Sequence, residues 1–291
     1  MMVLQRILVS FIFFGFSLLY ANVEQTESEK PKEPVYGWQN NLTGTLNLTQ
    51  TALSNWTTGG ENAWSWQVNL NGRFVERQKS YKWVNAGKIT FGESRVSNGG
   101  RKKTDDEIFL ETVYSLKVWK TFNPYASTTM LTQLAPGYDY KTDPVTKISD
   151  FLDPGYFKES IGFDYEPNDY IKTRVGFAVR QTVAGAFAAR YSDDPETKDT
   201  VEKFKNEWGV ESVTDVSLQL NNLIVYASKL EIFSTVERVD EVVVRWDNLF
   251  SAKLAEYISV SLNFKLYYDK KGSVKRQLKQ ILAVGLTHTF L

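Results

Sequence analysis

Hydrophobic and polar residues alternate along most of this chain with a period of two. The clearest run is 257–269. There Ile258, Val260, Leu262, Phe264, Leu266 and Tyr268 fall on one face, and Ser259, Ser261, Asn263, Lys265, Tyr267 and Asp269 on the other. Only an extended strand separates neighbouring side chains in that way. A second run follows, with Leu282, Val284, Leu286, His288 and Phe290 against Ala283, Gly285, Thr287 and Thr289, and the residues between, 270–277, read as a polar turn. A long closing strand with one oily face is what a membrane-embedded β-barrel needs.

The same alternation predicts ten earlier strands, at about 39–50, 63–76, 81–92, 107–120, 125–134, 155–165, 170–181, 211–220, 223–235 and 241–252. The fifth is the weakest. The breaks between them are rich in Gly, Pro, Asn and Asp, as turns and loops are. Long gaps are expected after the first, third, fifth, seventh and eleventh strands, including loops at 93–106, 135–154 and 182–210. Short turns are expected on the opposite rim. The predicted fold is all-β: a single antiparallel up-and-down transmembrane barrel of about twelve strands, occupying residues 38–291.

The first residues change the setting. Met1 to Arg6 is a short basic region, 7–20 is apolar, and Ala21 is a small residue at a cleavage point. That is the pattern of a secretory signal peptide over 1–21, and the apolar run is short of the ~20 residues of a spanning helix. Residues 22–37 are polar and charged, with two prolines, and read as a disordered periplasmic linker. With no later apolar run of that kind, a second meeting with a membrane must use strands. The expected location is the bacterial outer membrane. The expected partners are its lipid and, during biogenesis, the barrel-assembly machinery.

Composition narrows the function. The chain carries 34 basic and 34 acidic residues, so the basic excess of a nucleic-acid binder is missing and no nucleic-acid partner is expected. Cysteine is absent, which removes disulfides and thiolate metal sites.

Particular residues resemble a known family. The run Trp-Gln-Asn-Asn-Leu from Trp38, then Leu46-Asn-Leu-Thr-Gln-Thr-Ala-Leu-Ser-Asn-Trp-Thr-Thr-Gly-Gly-Glu-Asn to Asn62, is similar to the start of the DUF3078 family. Phe151-Leu-Asp-Pro-Gly-Tyr156, Gly162-Phe-Asp-Tyr-Glu-Pro-Asn168, Trp246-Asp247 and Leu266-Tyr-Tyr-Asp269 resemble its middle and end. The resemblance implies an outer-membrane barrel, found mainly in Bacteroidetes-type bacteria, with no established activity and no active-site residues to carry over.

Chemistry candidates are few. His288 is the sole histidine, sits near the chain end, and reads as part of an interfacial ring. No Gly-x-Ser-x-Gly elbow accompanies it, so no catalytic constellation is expected. Asp105-Asp106-Glu107 and Asp193-Asp194 fall in predicted outer loops, but their spacing is not that of a calcium loop, and no metal or cofactor is expected. The candidate lumen-lining residues are Arg73, Glu111, Lys117, Lys158, Asp164, Lys172, Arg174, Arg180 and Lys265. Their mixed signs predict pairing across a narrow lumen, because twelve strands lie between the filled eight-strand barrels and the open porins. The loop residues Asn55, Trp56, Gly59, Gly60 and Glu61 are candidates for binding a partner or ligand of unknown identity. The functional expectation is an outer-membrane barrel acting as a narrow channel or ligand-specific transporter. The alternatives are a lipid- or lipopolysaccharide-modifying enzyme, or a structural or binding barrel with an occluded lumen.

Overall fold

A computed structural model describes residues 35–53, 61–193, 200–237, 239, 241–270 and 273–291. The signal peptide expected at 1–21 and all but the end of the expected linker lie outside them. Fourteen strands follow in order: β1 (Gly37–Thr51), β2 (Ala63–Arg77), β3 (Tyr81–Val96), β4 (Lys102–Leu116), β5 (Phe122–Thr132), β6 (Gly137–Asp139), β7 (Thr146–Ser149), β8 (Gly155–Tyr165), β9 (Ile171–Val183), β10 (Phe204–Gln219), β11 (Ile224–Thr235), β12 (Val242–Lys253), β13 (Ile258–Asp269) and β14 (Ser273–Thr289). Twelve close into one antiparallel barrel, while β6 and β7 form a small separate hairpin.

Closure is made by the chain ends. β1 pairs with β14 in the register Thr43 to Thr289, Leu46 to Leu286 and Asn47 to Gly285. The backbone N–H of Phe290 donates to the Leu42 carbonyl at 2.8 Å. No barrel strand is left with an open edge, which is the condition for taking strand backbone into hydrocarbon.

The alternation decides which face is which. The apolar rows point outward: Leu282 is 71% exposed, Phe177 70% and Ile161 65%, while Glu211 and Thr90 are 1% exposed inside. A soluble barrel would reverse this, so the chain is a transmembrane-type barrel with an oily exterior. Polar side chains on the outer wall satisfy one another. Trp83 Nε1 donates to Thr112 Oγ1 at 2.8 Å, and Thr112 in turn donates to Asn85 Oδ1 at 2.9 Å. Tyr226 donates to Asn248 Oδ1 at 2.8 Å.

An aromatic girdle circles the rim that carries the short turns. Its contacts are Trp38 with Trp83, Tyr81 with Tyr114, Phe122 with Phe163, and Tyr226 with Phe250, at centroid distances of 4.5–6.0 Å. His288 belongs to it, 6.1 Å from Tyr257 and 4.8 Å from Phe290. Rings with an apolar body and a polar edge suit the level where hydrocarbon meets headgroups.

Several expected boundaries are corrected. The loop expected at 93–106 shrinks to 97–101, and the turn expected at 270–277 to 270–272, because β3, β4, β13 and β14 run further. Charged residues there ended the hydrophobic pattern, but a backbone ladder needs no oily face once it has left the membrane. The long gaps after the third and eleventh strands are therefore absent. Long loops remain at 52–62, 133–154 and 184–203. β10 begins at Phe204 rather than 211, since Glu207 faces the lumen in register and Trp208 faces out. The expected loop 135–154 contains the β6–β7 hairpin. The expected loop 182–210 holds a helical turn at Ala188–Tyr191.

Candidate functional site in the barrel lumen

The inward positions of the strands converge on a narrow interior. Room for large side chains comes from glycine on the inner wall. Gly162 and Gly176 face each other across β8 and β9, and a Cβ at Gly176 would sit 2.6 Å from the Tyr125 hydroxyl. Tyr125 therefore lies close against the wall, donating to or accepting from Ser160 at 2.8 Å and donating to Glu211 at 3.3 Å. Gly209 does the same for Phe233, whose ring edge is 2.6 Å from where a Cβ would stand.

Charged side chains fill the middle. Glu111 on β4 accepts from Arg174 on β9 and, at 2.8 Å, from Lys229 on β11. Lys158 on β8 lies 2.8 Å from Glu211 and 3.4 Å from Glu231. A second set spans the lumen elsewhere. Lys88 on β3 reaches Glu107 on β4 at 3.2 Å and Asp247 on β12 at 3.3 Å, and Lys265 on β13 reaches the same Glu107 at 3.1 Å. In the barrel order, β4 and β11 are five strands apart, as are β3 and β12, so these pairs bridge facing walls. Buried charges at such distances cost several kcal/mol each to desolvate and persist only when paired.

The bridges separate two cavities. The larger, about 280 Å³, lies toward the long-loop rim. Its apolar lining is Phe109, Leu131, Tyr156, Phe233, Val243 and Tyr267, and its charges are Lys158, Arg180, Glu231 and Arg245. The smaller, about 50 Å³, lies toward the short-turn rim among Arg73, Lys82, Asp164, Glu166, Lys172 and Asp215. There Glu166 accepts from Lys82, and from Lys117 at 3.2 Å. Burial would raise the Glu166 carboxyl, but Lys82 first, then Lys117 and Lys172, hold it down at about 2.

All nine candidate lumen residues therefore occupy the interior or its lower mouth. Glu111, Arg174, Lys158 and Lys265 join the bridges. Arg180 lines the upper cavity and donates to Glu207 at 2.8 Å. Arg73, Asp164 and Lys172 line the lower one, and Lys117 pairs with Glu166 at its mouth. The candidate loop residues Asn55, Trp56, Gly59 and Gly60 lie outside the described residues. Glu61 is exposed at the loop base, where Asn62 Oδ1 accepts the Leu53 N–H at 2.6 Å.

Six of these ten bridging residues are not among the sequence-based lumen candidates. Lys88, Glu107, Lys229, Glu231 and Asp247 all sit in the inward phase of their strands, each beside an apolar residue of the outward row (Ile89, Ile108, Leu230, Ile232 and Trp246), and that parity is the available signal. Glu211 stood at the edge of a strand read as starting too late. The carboxylates expected in an outer loop at 105–107 instead belong to β4 and are engaged. Asp105 accepts from Gln67 at 2.8 Å and pairs with Lys279 at 2.6 Å. Asp106 accepts the Leu134 and Ala135 N–H groups at 2.7 and 2.9 Å. Asp193 accepts the Glu202 N–H at 3.3 Å, and Asp194 lies outside the described residues. Among the described residues no His, Cys, Asp and Glu cluster has a metal-holding arrangement.

The long loops are tied together above the upper cavity. Asp153 Oδ1 and Oδ2 accept the N–H groups of Gly185 and Ala186 at 2.8 and 2.7 Å. Gln133 Nε2 donates to the Asp150 carbonyl at 2.8 Å. In the same loop Lys147 donates to Asp150, which raises the lysine and lowers the carboxyl.

Comparison with known proteins gives one sequence match. Residues 48–138 match the family model of DUF3078, described as a protein of unknown function; the match takes in the Leu48–Asn62 stretch of the resemblance, and the segments at 151–168, 246–247 and 266–269 lie outside it. No curated protein sequence matches the chain. Among solved structures, the translocator domain of the autotransporter NalP from Neisseria meningitidis is 8% identical, with 88% of this chain and 90% of that one covered and a TM-score of 0.39. The COG4313 outer membrane channel from Pseudomonas putida F1 is 9% identical, over 91% and 99% of the two chains, with a TM-score of 0.39. The NanC porin is 7% identical, over 86% and 97%, with a TM-score of 0.38.

Proposed function

We propose that this DUF3078 chain is an integral outer-membrane barrel whose lumen is closed at mid-height by its own ion pairs, and that it holds a ligand rather than passing solutes freely. The observation that carries the reading is the bridge of Glu111 to Arg174 and Lys229, with Lys158 between Glu211 and Glu231. The oily exterior and aromatic girdle support the membrane setting. The short turns and both ends of the barrel then face the periplasm, and the long loops face outward. No catalysis is assigned, since His288 stands on the outer wall among aromatic rings.

A second reading is a ligand-specific passage step in which the bridges part. It is favoured by the presence of a cavity on each side of them. Planar-bilayer recording with purified protein tests the closed lumen. Wild-type protein should give no steady current, and the double variant Glu111→Ala, Lys229→Ala should conduct. A wild-type trace as open as the double variant's would remove the occluded reading.

A further inference from the structure

The upper cavity combines an apolar lining with two polar groups that make no ion pair or side-chain hydrogen bond among the described residues. Phe109, Phe233 and Tyr267 supply rings, and Leu131 and Val243 supply aliphatic surface. Lys158 and Arg180, on the same lining, are already held by carboxylates. Arg245 differs. Among the described residues it makes no ion pair, and its guanidinium lies over the Tyr267 ring at 5.8 Å from the centroid. Tyr156, across the cavity on β8, has a hydroxyl with no hydrogen-bond partner among the described residues. A guanidinium stacked on an aromatic face keeps its N–H edge free, and that edge matches a carboxylate in a two-pronged arrangement.

The geometry points to a binding site for a small carboxylate with a flat aromatic body, its anionic end on Arg245 and Tyr156 and its ring among Phe109, Phe233 and Tyr267. Each half of the ligand answers a feature of the lining. The carboxylate meets donors in a chamber whose other charged lining groups, Lys158, Arg180 and Glu231, are already paired, and the ring packs against aromatic walls. A cavity of about 280 Å³ is at the small end of ligand pockets, so the ligand is compact. A site with committed donors rejects an isostere that cannot accept from them, because those donors are then left unpaired. The inference rests on the occluded reading, since a freely conducting lumen would hold water here.

Benzoate is the probe, with benzyl alcohol as its uncharged analogue. Calorimetric titration of the intact barrel in detergent, corrected against empty micelles, should show saturable benzoate binding at least tenfold tighter than benzyl alcohol. Arg245→Met should cost benzoate at least tenfold and leave benzyl alcohol within a factor of two. Tyr156→Phe, which removes a single oxygen, should weaken benzoate by about threefold to tenfold and preserve the wall. Heat-modifiable migration confirms that each variant is folded, and Tyr156→Phe decides the matter if Arg245→Met does not fold. Absence of benzoate binding to wild type, equal binding of the two probes, or variants without effect would each overturn the site. A closed bilayer trace combined with any of those results removes only the ligand class, whereas an open wild-type trace removes the occlusion itself.

Discussion

Glu111 is the residue on which the lumen turns. It is 8% exposed and serves two cations from different walls, Arg174 and Lys229. Removing it leaves buried Arg174 without its ion partner and Lys229 with only its longer contacts to Asp215 at 3.7 Å and Glu231 at 4.0 Å. Glu111→Ala should therefore destabilise the barrel by about 3–5 kcal/mol, the usual cost of orphaning a buried ion partner. A urea midpoint measured in vesicles reads this directly, with the exposed rim substitution Lys253→Ala staying within about 0.5 kcal/mol. Glu166 gives the complementary case at the lower mouth. Its folded pKa of about 2 lies below its ordinary 4.5, so its stabilising contribution is complete above pH 4.5 and fades as pH falls toward 2. Glu166→Gln should lower the thermal midpoint at pH 7, and the difference from wild type should close near pH 2. A gap that stays constant across that range would mean the charge on Glu166 is not what holds Lys82.

At the scale of elements, the strands were legible because one period governs them. The outward phase of β13, from Ile258 to Tyr268, reads without error, and each barrel strand had a counterpart in the sequence. The ends were not legible, for a definite reason. Phe204–Gln219 leaves the hydrocarbon before it leaves the sheet, so Lys205 and Glu207 look like loop residues while they line the lumen. Strand β5 is weak in the sequence because Tyr125 and Leu131 face inward while Ala126 and Thr128 face out, so neither face carries an unbroken apolar row. The cross-lumen partners were out of reach altogether. Parity says that Lys88 and Asp247 face inward, but only barrel closure says that they meet. Loop architecture was equally hidden. Asp153 lies in the Phe151–Tyr156 run, yet its role in gathering the N–H groups of Gly185 and Ala186 depends on a neighbour far along the chain. Asp153→Ala should release the 184–203 loop. Losing a cap of this kind costs about 0.5–2 kcal/mol, so trypsin cleavage at Arg190 should quicken by about 2- to 30-fold. Lys141→Ala, on the neighbouring hairpin turn, should leave that rate unchanged.

The whole molecule is an inversion of a soluble protein. Its interior carries most of the charged groups, largely paired, beside a smaller apolar lining, its exterior is oily, and the two are joined by a closed sheet with no free edge. The lack of cysteine in the chain makes this testable one position at a time. A single cysteine introduced in turn from 260 to 265 of β13, and spin-labelled in lipid vesicles, reports its surroundings through collision with oxygen or with a water-soluble nickel chelate. The account predicts a two-residue rhythm, with Val260, Leu262 and Phe264 positions open to oxygen and shielded from nickel. Ser261, Asn263 and Lys265 positions should resist oxygen. Outer positions that collide with the nickel chelate as readily as their inner neighbours would contradict a barrel whose oily rows face lipid.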